Sequence, residues 1–202
     1  MKFFDAPFAP SPRRVRMFLA EKGLSIPTVS VDIAAGETGQ ANFLAINAVG
    51  EVPVLELDDG TRLTESLAIC RYLETLHPEP ALLGRDALER AQLDALVLQI
   101  MFRVYVPTTQ AFRHGHKFWA GRITQVPQYA DLARQQVLDE WARFDAMLAT
   151  REFIGGERFS FADIVAYTTL DFGKPSGIRV QPAQTHLARW QAAIAARPSA
   201  QA

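Results

Sequence analysis

Residues 47–69 have the sequence NAVGEVPVLELDDGTRLTESLAI, and this segment predicts the architecture around it. The apolar run Val52–Leu57 predicts a strand, and the turn Asp58–Gly60 that follows is typical of a hairpin connection. Thr61–Leu63 predicts an antiparallel partner strand, and Thr64–Leu76 predicts a helix. The segment is therefore expected to form a β-hairpin that leads directly into a helix.

The residues before this segment predict a β-α-β unit. Lys2–Phe4 predicts a first strand and Pro27–Val31 a second. The helix between them is expected to have Ser11 as its N-cap, Pro12 at its first position and Gly23 just beyond its end. The crossover in such a unit is right-handed and its two strands are parallel. The N-terminal part of the chain is therefore expected to be an α/β domain of residues 1–77.

Beyond residue 77 the pattern changes from strands to helices. Residues 78–87 include Pro80 and Gly84 and predict a linker. Residues 88–202 show no convincing strand pattern, and their apolar stripes have helical spacing, which predicts an all-α bundle. The stripes are formed by Leu93, Leu96, Val97, Ile100, Met101 and Val104, by Val137, Leu138, Trp141, Phe144 and Leu148, and by Leu187, Trp190 and Ile194.

Composition is typical of a soluble globular protein. The formal net charge is −1, so no partner that is a nucleic acid or an anionic membrane is expected. The single cysteine, Cys70, excludes an intramolecular disulfide framework and a Cys-x-x-Cys redox motif. The first residues lack the apolar core of a signal peptide, no run approaches the ~18 apolar residues of a membrane span, and the expected location is the cytoplasm. His114 and His116 have no nearby cysteine or carboxylate cluster, so no metal is expected.

Pro53 opens the third predicted strand. A cis bond between Val52 and Pro53 would turn the backbone N–H and C=O of Val52 outward, where an extended peptide could pair with them as an added strand. The alternative is an ordinary trans proline at a strand edge. The spacing of residues leaves both possibilities open.

Thr64-Glu65-Ser66 lies where a loop enters a predicted helix. Free N–H groups and the helix dipole favour a carboxylate there, Ser66 adds a hydroxyl donor, and Glu65 adds a negative charge. A ligand with a carboxylate and an ammonium group on one carbon, such as a γ-glutamyl group, would satisfy both side chains. The alternative is ordinary helix capping.

Ser11 lies in the loop after the first strand, where ligands of open α/β sheets bind. A hydroxyl or amide at a helix N-terminus can stabilise a thiolate and so lower a thiol pKa from about 8.5. The alternative is that Ser11 only caps the helix.

The order of these motifs resembles the glutathione transferase family over nearly the whole chain. Asn47–Leu55 is similar to the family's Asn-Pro-x-Gly-x-Val-Pro segment, with Ala48 in place of the proline, and Thr64–Ile69 continues the likeness. Three features of the C-terminal part also resemble the family: Phe153–Gly156, Ser160–Asp163, and Trp190 with Arg197-Pro198. Within the second of these, Ser160 and Asp163 resemble the family's helix capping box.

This resemblance implies a thioredoxin-like N-terminal domain, an all-helical C-terminal domain and a homodimer. It implies that glutathione is the co-substrate, that no metal takes part, and that the second substrate is a small hydrophobic electrophile. The expected glutathione-binding residues are Ser11, Gln40, Glu51, Val52, Pro53, Glu65 and Ser66. The expected acceptor pocket contains Phe8, Phe102 and Tyr105; Phe112, Phe118 and Trp119 could extend it or belong to the bundle core.

The chain departs from the family at the thiol-activating position. Ala9 stands where the serine and cysteine classes carry that residue, and Phe3, Phe4 and Phe8 have no hydroxyl to replace the tyrosine of other classes. Thiol activation is therefore expected to rest on Ser11, as the candidate catalytic residue, and on backbone N–H groups. The alternatives are a glutathione-dependent isomerase, dehalogenase or disulfide reductase on the same fold, or a non-catalytic interaction protein.

Overall fold

The computed structural model describes all 202 residues, which form two compact units. The first unit contains Met1–Ala81 together with Pro198–Ala202, and the second contains Leu82–Arg197. The apolar pattern predicts that every residue from 88 onward belongs to the helical part. The structure instead places the final five residues with the first unit.

The first unit is a thioredoxin-like α/β domain with a four-stranded mixed sheet. The strand order is β2-β1-β3-β4, in which β1 and β2 are parallel and the other neighbours are antiparallel. The predicted β-α-β unit and the hairpin after it are therefore confirmed. The elements are β1 (Lys2–Asp5), α1 (Pro10–Glu21), β2 (Thr28–Ser30), α2 (Ala41–Leu44), β3 (Val54–Glu56), β4 (Arg62–Thr64) and α3 (Ser66–Leu76).

The N-cap of α1 differs from the one that the sequence predicts. The cap is Ala9, whose ψ of 134° is extended, and no side chain caps the helix. Ala9 precedes Pro10, and a residue before proline is held out of the helical region, whereas Pro10 itself has a φ suited to the first helical position. The prediction that Ser11 is the N-cap is therefore wrong, because Ser11 lies inside the first turn.

The side chain of Lys22, the C-cap residue of α1, binds the segment that follows α3. Its side chain is fully buried, and its Nζ donates to the carbonyl oxygens of His77 at 2.7 Å and Pro80 at 2.6 Å. It also forms an ion pair with Glu74 of α3. The chain beyond α3 is thus held against the end of α1, which Gly23 terminates at a φ of 64°.

The residues at 198–202 lie along α1. Arg13 donates from Nη2 to the carbonyl oxygen of Ala200 at 3.0 Å, and the Ser199 hydroxyl donates to Glu21 at the far end of the helix. Ser199 and Ala200 are both buried. This short 3₁₀ turn, Pro198–Gln201, is therefore an integral part of the first unit.

The second unit is all-helical. Every residue of the third predicted apolar stripe is buried, and the other two stripes are buried or half-buried. A π-helical segment, Met101–Tyr105, joins two of its helices, and Pro107 lies just beyond it. Since proline has no N–H for the i−4 carbonyl, the regular ladder cannot continue unchanged at this point. The helices are α4 (Ala87–Ile100), α5 (Val106–Gly115), α6 (Pro127–Leu148), α7 (Phe161–Gly173) and α8 (Thr185–Ala195).

Asp163 organises the start of α7. The predicted capping box is confirmed, since Ser160 and Asp163 bond reciprocally. The buried carboxylate also accepts from the Ile154 N–H at 2.8 Å and from the Trp190 indole N–H at 2.9 Å. Burial raises the pKa of Asp163 above its ordinary value, although each of these hydrogen bonds favours the ionised form. One side chain therefore links the loop at 154, the start of α7 and α8.

Candidate functional site

Three chain segments meet at one end of the sheet in the first unit. Val54 pairs with Thr64 and with Phe4, so Val52, Ser66 and Ala6 each lie two residues beyond these pairs, at the same end of the sheet. Ala6 begins the loop that leads into α1. The predicted glutathione residues around Val52, Ser66 and Ser11 therefore lie at the same end of the sheet.

At this end of the sheet, the backbone of Val52 is available to a binding partner. The Val52–Pro53 peptide bond is cis, which confirms the first alternative drawn from the sequence. The Val52 side chain packs against the cluster formed by Phe4, Phe43 and Val54. Its backbone N–H and C=O make no hydrogen bond within the chain. The residue is therefore anchored through its side chain while both backbone groups stay available for a strand-like partner.

Asn47 and Gly50 hold the turn that precedes Val52. The buried Asn47 amide donates from Nδ2 to the Glu51 carbonyl at 2.8 Å, and its Oδ1 accepts from the Val49 N–H. Gly50 has a φ of 70°, and a Cβ there would lie 2.9 Å from the Thr38 carbonyl oxygen. Only glycine fits this close approach without displacement. The exposed Gln40 lies two residues beyond Thr38 along the chain.

The N-terminus of α3 carries the expected Glu65-Ser66 pair in an unusual conformation. Glu65 has a φ of 65° and is the only residue other than glycine with a positive φ. No side chain caps the helix, and the N–H groups of the first turn, Ser66–Ala68, have no acceptor in the chain. The Ser66 hydroxyl also makes no hydrogen bond, although the residue is only 6% exposed. Ordinary capping, the alternative drawn from the sequence, is therefore absent here.

The loop before α1 is held by Arg16. Its guanidinium donates to the Asp5 carboxylate and, at 2.9 Å, to the Pro7 carbonyl oxygen. Ser11 is half-buried in the first turn of the helix. It lies between Pro10 and Pro12, neither of which has an N–H. Among these three residues, only Ser11 has a hydroxyl and a backbone N–H.

The three residues expected to form the acceptor pocket belong to different units. Phe8 in the first unit is 99% exposed. In the second unit, Phe102 is 68% exposed and Tyr105 is half-buried, both within the π-helical segment. These exposures show that neither phenylalanine belongs to a core. The common pocket remains a prediction.

Cys70 is fully buried in α3, and burial raises the pKa of its thiol well above the ordinary value, which disfavours the reactive thiolate. No cluster of three or more histidine, cysteine, aspartate or glutamate side chains has the geometry to hold a metal ion. None of the helices combines the length and the apolar character that a membrane crossing requires.

Comparison with family models gives a match to both units. The model of the glutathione S-transferase N-terminal domain matches residues 3–81, and that of the C-terminal domain matches residues 93–198. The chain belongs to the glutathione S-transferase family. Glutathione S-transferase 2 of Saccharomyces cerevisiae is 32% identical over 203 residues, which cover 98% of this chain and 87% of the yeast protein. The maleylacetoacetate isomerase of Pseudomonas aeruginosa is 30% identical over 165 residues, which cover 81% of this chain and 74% of the isomerase.

Solved structures of the family agree with this assignment. A glutathione S-transferase domain-containing protein of Marinobacter aquaeolei superposes with a TM-score of 0.93 at 34% identity, covering 98% of this chain and 99% of that one. A sphingomonad glutathione S-transferase complexed with glutathione superposes with a TM-score of 0.84 at 28% identity, covering 100% and 96%. The thioredoxin-like and helical units of this family member thus have close structural counterparts.

Two residues that shape the site of this glutathione S-transferase family member escaped sequence reasoning. Arg16 carries no local sequence signal, and nothing in the sequence indicates that it binds the Pro7 carbonyl. Asn47 was quoted for the family likeness alone, yet its amide fixes the turn before Val52. An asparagine three residues before a Gly-x-Val-Pro sequence is a turn signal that could have identified the second.

Proposed function

We propose that this protein is a glutathione transferase that converts the glutathione thiol to a thiolate for attack on a small hydrophobic electrophile. The observation that most strongly supports this proposal is the arrangement of Val52 and Ser66 at one end of the sheet. It offers a free backbone N–H and C=O beside a helix N-terminus whose N–H groups and serine hydroxyl have no partner in the chain. A tripeptide with an amino-acid head group matches both features.

The cysteinyl and γ-glutamyl parts of glutathione each have a partner in this proposal. The backbone of Val52 pairs with the cysteinyl residue, and the N-terminus of α3 with the Ser66 hydroxyl binds the γ-glutamyl carboxylate. The Glu65 carboxylate binds the ammonium group of the same residue. Gln40 and Glu51, both exposed around the turn before Val52, contribute further polar contacts. Pro53 keeps the backbone of Val52 outward.

The reaction needs only the thiolate and the acceptor. The thiol loses its proton to solvent, Ser11 donates a hydrogen bond to the resulting sulfur anion, and the sulfur attacks an electrophilic carbon. A carbon–sulfur bond forms, and either a leaving group departs with its electron pair or the adjacent carbon takes up a proton. Holding the two reactants together supplies the remaining acceleration.

The role of Ser11 is tested by the pKa of bound glutathione. We expect that pKa to lie below about 8.5, the value of a free thiol. Ser11→Ala should raise it by roughly one unit, since a hydrogen bond to a charged group contributes about 1.5–3 kcal/mol. The measurement is thiolate absorbance against pH on the protein saturated with glutathione. Ser11→Asn, which keeps a donor, should retain part of the effect.

The controls follow from the observed start of α1. Since Ser11 is not the N-cap, Ser11→Ala removes the hydroxyl without removing a helix cap. Ser25→Ala removes an exposed serine hydroxyl in the loop after α1 and should leave the thiol pKa unchanged. An unchanged pKa in a folded Ser11→Ala protein would show that the hydroxyl does not stabilise the sulfur.

A glutathione-dependent isomerase is the second candidate, favoured by the likeness to the Pseudomonas aeruginosa protein. In that reaction the thiolate adds to the acceptor and later leaves, so no glutathione is consumed. A panel of electrophiles assayed for thiol loss separates the two functions. Turnover of an acceptor at constant thiol concentration would favour the isomerase.

We also propose that the protein is a homodimer, on the resemblance to the family. Light scattering at micromolar concentration should give about twice the chain mass of 22.4 kDa. A mass of one chain across that concentration range would contradict the dimer.

A further inference from the structure

The π-helical segment Met101–Tyr105 is joined to α6 by a buried carboxylate. Glu140 of α6 is only 7% exposed. Its Oε1 accepts from the Arg103 guanidinium, at 2.9 Å from Nε and 2.6 Å from Nη2. Its Oε2 accepts from Nε of Arg143, three residues further along α6, at 3.0 Å. One carboxylate therefore binds an arginine of the π-helical segment and an arginine of its own helix.

The two arginines are alike except for the element that carries them. Their side chains are 52% and 56% exposed, so water can solvate either guanidinium if the carboxylate is removed. The bond from Arg103 crosses between two elements, whereas the bond from Arg143 lies within α6. Loss of Arg103 therefore releases the π-helical segment from Glu140, and loss of Arg143 does not.

Backbone hydrogen bonds alone determine the direction of this segment weakly. The Val106 N–H donates to the carbonyl of Met101, five residues earlier, which is the bond that characterises a π turn. Pro107 has no N–H, so the Arg103 carbonyl cannot receive the usual bond from the residue four positions ahead. A change from the π to the α register would turn the side chains by about 100°, the rotation of one residue. The contact of Arg103 with α6 therefore fixes the direction that they take.

Two residues expected to bind the acceptor lie in the same segment. Phe102 and Tyr105 flank Arg103 within the five residues of the π turn. Phe102 is 68% exposed, so few contacts of its own hold its side chain, and Tyr105 is half-buried. A movement of Arg103 relative to α6 therefore displaces both aromatic side chains.

We propose that Glu140 is a positioning residue that sets the selectivity for the electrophile. Through Arg103 it fixes the π-helical segment, and so determines which apolar groups Phe102 and Tyr105 accept. Glu140 itself is buried and acts only through the arginine. This inference rests on the proposed glutathione transferase function, because that function supplies the electrophile.

Hydrogen exchange of the Val106 amide tests the first step. Arg103→Met and Glu140→Leu should each speed its exchange about fivefold or more, because the π turn opens more often once its contact with α6 is lost. Arg143→Met is the matched control and should exchange as the parent does. Mass spectrometry on the free full-length protein measures the exchange, so the result does not depend on glutathione.

The affinities of two glutathione conjugates test the second step. S-methylglutathione and S-benzylglutathione share the tripeptide and differ only in the apolar group that the acceptor residues would contact. Isothermal titration should show tighter binding of the benzyl conjugate to the parent. Arg103→Met, Glu140→Leu and Phe102→Ala should each reduce this preference about fivefold, and Arg143→Met should preserve it. A general loss of stability would weaken both conjugates alike and leave their ratio unchanged.

An unchanged preference in both Arg103→Met and Glu140→Leu would overturn the proposal, and so would an equal reduction in Arg143→Met. The double variant Arg103→Met/Glu140→Leu should lose no more than either single variant, because both changes break the same contact. A parent protein that binds neither conjugate would contradict the proposed function and this inference together. Normal conjugate binding with an unchanged preference in the variants would contradict this inference alone.

Discussion

Replacing Asp163 by alanine should lower the free energy of unfolding by about 4 kcal/mol, because each buried donor left without an acceptor costs about 1–3 kcal/mol. The variant removes the acceptor of the Ile154 N–H, the Ser160 N–H and hydroxyl, and the Trp190 indole N–H. All of these groups lie in the interior, where water cannot replace the carboxylate. Urea unfolding followed by tryptophan fluorescence measures the change.

Two further variants make this expectation specific. Asp163→Asn keeps one oxygen acceptor but turns an N–H group towards two donors, so its loss should be clearly smaller than that of Asp163→Ala. Asp139→Ala removes an exposed carboxylate of α6 that bonds only Gln135, and it should change stability by less than about 0.5 kcal/mol. Similar losses in Asp163→Ala and Asp139→Ala would show that the buried network contributes little.

Ser66→Ala should weaken glutathione binding by about tenfold or more, since a hydrogen bond to a charged group contributes about 1.5–3 kcal/mol. The Ser66 hydroxyl has no partner within the chain, so its removal leaves no donor or acceptor of the free protein unsatisfied. Glu65→Gln, which removes the charge facing the ammonium group, should have an effect of similar size. Isothermal titration with glutathione measures both.

The backbone of Glu65 allows a sharper control. Its φ of 65° is costly for a side chain with a Cβ and costs glycine nothing. Glu65→Gly should therefore unfold at the same or a higher denaturant concentration and yet bind glutathione as weakly as Glu65→Gln. Full glutathione affinity in Ser66→Ala and Glu65→Gly would remove these residues from the site.

Much of the first unit could be predicted because its signals are local. The Asp58-Asp59-Gly60 turn and the apolar runs beside it specify β3, β4 and their antiparallel pairing. Pro53 offered the open backbone at Val52 as one of two possibilities, and Ser160 with Asp163 indicated the cap of α7. In each case the deciding residues are within a few positions of one another.

The features that could not be predicted depend on contacts between distant residues or on a competition between neighbours. Lys22 has no sequence signal that relates it to the carbonyls of His77 and Pro80, more than fifty residues away. At α1, Ser11 is the better capping residue by preference, but Pro10 fixes the backbone one residue earlier and makes Ala9 the cap. The restricted backbone of Pro10 therefore outweighs the capping preference of Ser11.

The return of residues 198–202 to the first unit has a consequence for chimeric proteins. A single crossover between two family members near residue 81 transfers Met1–Ala81 but leaves Pro198–Ala202 with the other parent. The exchanged α1 then meets a foreign partner for Arg13 and Glu21. A chimera that preserves the first unit therefore needs two junctions, one near residue 81 and one near residue 197. Helix α1 and the segment Pro198–Ala202 then come from the same parent.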